Sequence, residues 1–307
     1  MAITLGSNTH QYELVEGWAK LPEGVTLGYT HGVEIDSKDN VIVFNQSKDA
    51  IIFFDSEGNY IKSWGAEYEE GAHGLYLSNE GGVEYLYLSD NNLHTVTKTT
   101  LDGEVLFTIT TPDLPLVYQS ADQFVPTDVA VAPNGDFYVA DGYGQPWVHQ
   151  YNNTGEYLRS FGGFGDGKGQ LNCPHGVWVD TRGDSPVLLV ADRGNHRIQI
   201  FTLDGEHLDF VTEDLIQPCC FYQHGDEIYI PDLSSRVTIF DKNNTLITHL
   251  GDNPGCCNWS GYPNIAHDKR QSDKFISPHA LAVDSTGDIY VVEWVEDGRI
   301  TKLKRKN

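Results

Sequence analysis

The stretch Pro174-His175-Gly176-Val177-Trp178-Val179-Asp180 decides the fold, because the chain repeats it. It returns as Thr30-His31-Gly32-Val33-Glu34-Ile35-Asp36, as Ala72-His73-Gly74-Leu75-Tyr76-Leu77 and as Pro278-His279-Ala280-Leu281-Ala282-Val283-Asp284. Each copy opens on a small or polar step and continues as a short apolar run, the pattern of a buried strand. A histidine holds the same place in every copy. In a closed repeat fold, equivalent places converge on one axis, so residues far apart in sequence can build one site.

Outward from this stretch the repeat is a four-strand unit. Residues 127–163 show it most clearly: Thr127–Ala132, a turn at Asn134-Gly135, then Asp136–Asp141, Val148–Tyr151, a turn at Thr154-Gly155, and Glu156–Phe161. The next unit follows with His175–Asp180, Val187–Asp192, Arg197–Thr202 and His207–Val211. Such runs, spaced at roughly 40 to 60 residues with no amphipathic helix between them, predict an all-β fold of the propeller type. The predicted inner strands are Thr30–Asp36, Ala72–Ser78, Pro126–Ala132, Pro174–Asp180, Pro218–Gln223 and Pro278–Asp284, giving six blades in a single domain over 1–307. The last blade has three strands of its own, ending at Arg299–Lys304. Tyr12–Trp18, similar to Tyr157–Phe161, is expected to supply the fourth and remove the open edge. Two stacked sandwiches are the competing arrangement. The connections Thr110–Val125 and Gly251–Ile276 exceed ordinary turns and read either as binding loops or lids or as packed excursions.

Composition narrows the function. With 44 acidic and 20 basic side chains among 307 residues, the formal net charge is −24. That surface repels phosphate backbones and anionic lipid, so neither nucleic acid nor a membrane is an expected partner. Its plainest meaning is solubility, although an acidic field also favours a bound cation. No apolar run is long enough to cross a membrane, and Met1–Gln11 lacks the character of a signal peptide. The cysteines, Cys173, Cys219, Cys220, Cys256 and Cys257, form a poor disulfide framework and no zinc-ribbon spacing. They fit a cytoplasmic protein.

His73, His175 and His279 fall in the second, fourth and sixth predicted blades. Sixfold symmetry sets alternate blades about 120° apart, so three imidazoles would converge as a trigonal cradle for a metal with an axial position open. The alternative is that each histidine caps its strand by bonding a neighbouring carbonyl. His31, in the first blade, reads as a fourth ligand, a residue supporting the ligands, or a proton shuttle. Thr127 and Cys219 hold the matching place in the third and fifth blades. The thiol is either a soft-metal ligand or an inert buried group.

An antiparallel neighbour ends where its partner begins, so the turns after the second strands lie at the same end as the histidines. These turns carry Asn45-Gln46, Asp90-Asn91, Asp141-Gly142-Tyr143, Asp192-Arg193, Asp232-Leu233 and Glu293-Trp294. Tyr143 is the candidate for proton transfer and Arg193 for gripping a carboxylate. Asn45, Gln46 and Trp294 are candidate substrate contacts, Trp294 as an aromatic wall. Asp141 and Asp192 read as stabilisers of their own turns.

The stretch Ala191-Asp192-Arg193-Gly194-Asn195-His196-Arg197-Ile198-Gln199 resembles the signature of NHL-repeat propellers. Within that group the chain resembles the peptidyl-α-hydroxyglycine α-amidating lyases, six-bladed propellers that use a histidine-bound zinc to cleave the carbinolamide C–N bond of hydroxyglycine-extended peptides, giving an amide and glyoxylate. The resemblance implies His73, His175 and His279 as zinc ligands, Tyr143 as the catalytic tyrosine and Arg193 as an active-site arginine. Pro126-Thr127-Asp128-Val129-Ala130-Val131 also resembles a segment of that family. The chain departs from the pattern at Asn45-Gln46, where a second arginine is missing, and at Ser277 and Ala280, where methionine and a calcium-binding aspartate are missing. Calcium is therefore not expected, and the family's secretory disulfides have no counterpart.

Together these readings predict a metal-dependent lyase or hydrolase, with a divalent transition metal such as zinc, acting on a small polar or carboxylate-bearing molecule or a short peptide. The rivals are a non-catalytic NHL interaction platform and a lactonase or sugar-modifying propeller. The latter sites favour acidic oxygen ligands over imidazoles.

Overall fold

Alternation of inward and outward side chains yields short antiparallel strands throughout the computed structural model, which describes residues 3–306. Met1 and Ala2, at the start of the segment read as lacking a leader, and Asn307 lie outside those residues. The strands form six antiparallel sheets, the blades of a β-propeller. No helix among the described residues is long and apolar enough to cross a membrane. The chain divides into two units, one of Glu70–Glu213 and one of the segments before and after it.

The unit Glu70–Glu213 contains the second, third and fourth blades. The second runs Ala72–Glu80, Val83–Asp90, Thr95–Thr100 and Val105–Ile109; the third Asp128–Val131, Phe137–Asp141, Trp147–Tyr151 and Tyr157–Gly162; the fourth Pro174–Asp180, Val187–Asp192, Arg197–Phe201 and His207–Val211. Apolar residues at every second position meet between neighbouring blades. Tyr87, Val96, Val129, Phe137 and Tyr151 pack between the second and third. Ala130, Tyr138, Val177, Val190 and Phe201 pack between the third and fourth. The Thr110–Val125 connection is a packed excursion, because Tyr118 and Phe124 are buried in the first of these cores.

The other unit contains the fifth, sixth and first blades. The first runs Thr30–Ile35, Val41–Asn45, Ile51–Phe54 and Tyr60–Trp64; the fifth Tyr222–His224, Glu227–Asp232, Arg236–Phe240 and Leu246–Leu250; the sixth Pro278–Val283, Ile289–Glu293 and Arg299–Arg305. The expected closure is present. His10–Val15 pairs antiparallel with Arg299–Arg305, Tyr12 opposite Arg305 and Val15 opposite Lys302, and Thr4–Ser7 adds a fifth strand outside it. The pairing stops short of Trp18, which is buried against Phe54 at 5.4 Å and Tyr290 at 4.9 Å between ring centroids. The predicted inner strand Pro218–Gln223 is instead Tyr222–His224, with Pro218 making only an isolated bridge to Asp232. The cause is local: Pro218 and, on the facing strand, Pro231 have no N–H to give to the ladder, so the entry segment keeps only the Cys219 N–H bond to the Pro231 carbonyl at 2.9 Å. Residues 251–276 are also held down, by a small cluster of Cys256, Ile265, Ile276 and Val295.

Candidate functional site

The motif histidines sit where the ladder breaks. Register shifts occur between Thr30 and Gly32, Ala72 and Leu75, Pro174 and Val177, and Pro278 and Ala280. Each interruption frees a histidine from the pleat and re-aims it, as bulges beside functional sites do. The third blade, with Thr127 at that place, keeps a continuous register from Asp128 onward, whereas in the fifth, with Cys219, the register shifts between the Pro218–Asp232 bridge and Tyr222 opposite Tyr229. Thr127 ties its hydroxyl to the carbonyls of Ala140 and Pro174, both at 3.2 Å. Cys219 is fully buried.

Within Glu70–Glu213 the sequence candidates come together around one phenol oxygen. His73 Nε2 lies 3.2 Å and His175 Nε2 3.0 Å from Tyr143 Oη, and Arg193 Nη2 lies 3.2 Å from the same atom. The two imidazole centroids are 4.9 Å apart. The Arg193 guanidinium stands 5.4 Å over the Tyr143 ring. His73 and His175 are each 1% exposed, whereas Tyr143 is 43% exposed, so the phenol lies between the buried bases and solvent. Arg193 Nη2 also reaches Cys173 Sγ at 3.3 Å. The sequence reading missed Cys173, whose only signal was its position just before Pro174-His175.

In the other unit, His31 and His279 meet edge to face, with centroids 4.7 Å apart. His279 Nδ1 donates to the His31 carbonyl at 2.7 Å and His31 Nδ1 to the Tyr29 carbonyl at 3.2 Å. Trp294 faces Tyr29 at 5.7 Å, and Asn264 Nδ2 donates to Tyr29 Oη at 2.7 Å, so the aromatic wall is a pair tied to the 251–276 connection. Gln46 is half-buried, its N–H on the Tyr29 carbonyl at 2.9 Å.

These histidines suit a metal by their tautomers. His73 Nδ1 bonds the Thr127 carbonyl at 2.7 Å, as His279 and His31 bond carbonyls of their own. A carbonyl oxygen only accepts, so Nδ1 carries the proton and Nε2 keeps its lone pair. Histidine ligands to transition metals are fixed in this way. One group of three imidazoles, and another of two imidazoles with the Cys219 thiol, have ligand atoms close enough to hold an ion.

The turns after the second strands have a common structural device. Asp90, Asp141, Asp192, Asp232 and Glu293 are fully buried, and each accepts backbone N–H groups from its own turn or from the chain entering its blade. Asn45 does the same in the first blade. Its Oδ1 accepts from Gly28 at 2.9 Å, and its Nδ2 donates to Asp49 and Ala50 carbonyls at 3.0 and 3.1 Å. Asn45 is fully buried, so it is a latch rather than a substrate contact.

A sequence model of the NHL repeat matches residues 171–201. Human NHL repeat-containing protein 3 is 28% identical over 296 residues, spanning 92% of this chain and 81% of its own. Peptidyl-alpha-hydroxyglycine alpha-amidating lyase 1 of Drosophila melanogaster is 26% identical over 338 residues, spanning 94% of this chain and 58% of its own. Among solved structures, a gluconolactonase of Xanthomonas campestris superposes with a TM-score of 0.65 at 13% identity, covering 96% of this chain and 90% of its own, a likeness of fold alone.

Proposed function

We propose that the protein is a metal-dependent lyase or hydrolase acting on a small or peptide-borne substrate that carries a carboxylate. One observation carries the reading: Tyr143 Oη is bracketed by His73 Nε2, His175 Nε2 and Arg193 Nη2 at 3.0–3.2 Å. The proposed holders of a divalent transition metal, zinc in the first instance, are His73, His175 and His279, with His31 as a further ligand or supporting residue. When bound, such an ion polarises a substrate oxygen. The bond from His73 Nδ1 to Thr127 keeps that imidazole in its lone-pair-bearing orientation. Tyr143 Oη takes or gives the proton, because it is the half-exposed group of the cluster and touches the bases and the cation. Arg193 receives the carboxylate. Gln46 and Trp294 remain proposed substrate contacts. A reducing, cytoplasmic setting for the five thiols belongs to the same proposal.

The similarity to the Drosophila lyase favours cleavage of a carbinolamide, with the whole of that activity a proposal, since this chain spans 58% of that relative. The second reading, a non-catalytic NHL platform, is favoured by the human relative, whose name states its repeats and no reaction. A hydroxyglycine-extended N-acyl peptide incubated with the zinc-loaded chain separates them. Release of glyoxylate is expected. Metal-loaded protein that leaves the peptide intact would refute carbinolamide cleavage and favour the platform.

A further inference from the structure

The buried latch acids differ in what offsets their charge. In the fourth blade Asp192 pairs in register with Arg197, whose Nε lies 2.7 Å from Oδ2, and Gln199 adds an amide bond at 2.9 Å. In the fifth blade Asp232 pairs with Arg236 at 3.5 Å, and in the sixth Glu293 pairs with Arg299 at 3.0 Å. The first blade avoids the charge by using Asn45. The third blade, which carries Tyr143, has Trp147 in register opposite Asp141, where these blades have arginine.

Tyr118, from the Thr110–Val125 connection, fills the gap. Its Oη lies 2.6 Å from Asp141 Oδ2 and 2.6 Å from His149 Nε2, and His149 Nδ1 lies 2.6 Å from Ser160 Oγ. Burial pushes His149 down to about 3, so the ring is neutral and has one N–H. The phenol proton goes to Asp141. Nε2–H must then donate to Tyr118 Oη, and Nδ1 accepts from Ser160. The result is a one-way chain of donors, Ser160 to His149 to Tyr118, ending on the carboxylate. Asp141 in turn fixes both sides of the Tyr143 turn. It accepts the Val125 and Gln145 N–H groups, each at 2.7 Å, while Tyr143 N–H bonds the Val125 carbonyl at 3.3 Å.

We propose that Tyr118 is a positioning residue for Tyr143: its hydroxyl takes the arginine's part on Asp141, and Asp141 holds the turn that sets Tyr143 Oη between His73 and His175. Its functional meaning rests on the reading of Tyr143 as the proton-transfer group. Tyr118→Phe keeps the buried ring and removes only the hydroxyl. In the full chain at neutral pH, amide exchange over residues 141–147 should accelerate about tenfold, the scale of one lost bond to a charged group. Exchange over 192–198, latched by Arg197, should stay unchanged. No acceleration at 141–147, or equal acceleration in both segments, would overturn the proposal, since general loosening moves both. Ser160→Ala, at the far end of the chain of donors, should give a smaller change confined to 141–147, and serves the same decision if Tyr118→Phe does not fold. With the hydroxyglycine peptide, Tyr118→Phe should lower kcat and leave KM within about twofold. If wild-type protein does not turn the peptide over, the lyase reading fails while the exchange contrast still decides whether Tyr118 holds the turn.

Discussion

In the proposed mechanism Tyr143 occupies the position on which the chemistry depends, and its surroundings separate its proposed role from those of its neighbours. His73 and His175 are enclosed and turn Nε2 toward it, Arg193 supplies a fixed cation, and the phenol, unlike the two imidazoles, reaches solvent. Removing the hydroxyl should therefore stop proton transfer without disturbing the imidazoles. Tyr143→Phe should lower kcat by about 10²–10⁴, the usual contribution of a positioned acid or base, while metal content holds. Loss of metal together with activity would assign Tyr143 to the metal site instead. The histidines were legible because they recur at one place in the repeat, and Tyr143 and Arg193 because each follows the acid that ends a second strand. The carbonyl partners that set the tautomers were not, since Thr127, His31 and Tyr29 contribute backbone atoms that no side-chain pattern reveals.

Each blade joins a bulged inner strand to a second strand ending in a buried acid or amide. Asp192 and Asp90 should respond differently to neutralisation. Asp192 is locked to Arg197, so Asp192→Asn leaves a buried guanidinium without its counter-charge and should cost about 3–5 kcal/mol in chemical denaturation. Asp90 has Thr95 opposite it, and burial raises its pKa above the ordinary 3.8. Stability linked to a carboxyl with a raised folded pKa is present below the unfolded value and is lost as pH rises through the folded one. Asp90→Asn should therefore be nearly neutral at pH 7, within about 1 kcal/mol, and should flatten that acid-side dependence; a loss as large as that of Asp192→Asn would refute the distinction. The sequence placed these strands closely wherever alternation was clean, as at Pro174–Asp180 and Tyr60–Trp64. It failed at Pro218–Gln223, where Pro218 and the facing Pro231 have no N–H for the ladder and continuous pairing starts only at Tyr222.

For the whole molecule, closure between the chain ends is the feature most exposed to test. Tyr12 is fully buried in a core with Tyr229, Leu281 and Leu303, and its strand covers the edge of Arg299–Arg305. Tyr12→Ala should cost about 3–5 kcal/mol, as expected for a large buried ring, and favour aggregation through the exposed edge; near-wild-type stability would show that the N-terminal strand is dispensable. The closing strand was visible in sequence as a partner for an incomplete last blade. Its extension by Thr4–Ser7 was not, because Gly6 and Ser7 give no strand-like alternation. Whether the histidines hold a metal is decided by elemental analysis of the purified chain after loading with zinc and removal of excess. About one transition-metal ion per chain is expected, lost in His73→Ala and His175→Ala and retained in Tyr143→Phe. A wild-type chain without metal, or full metal content in a folded His73→Ala/His175→Ala double variant, would contradict this expectation.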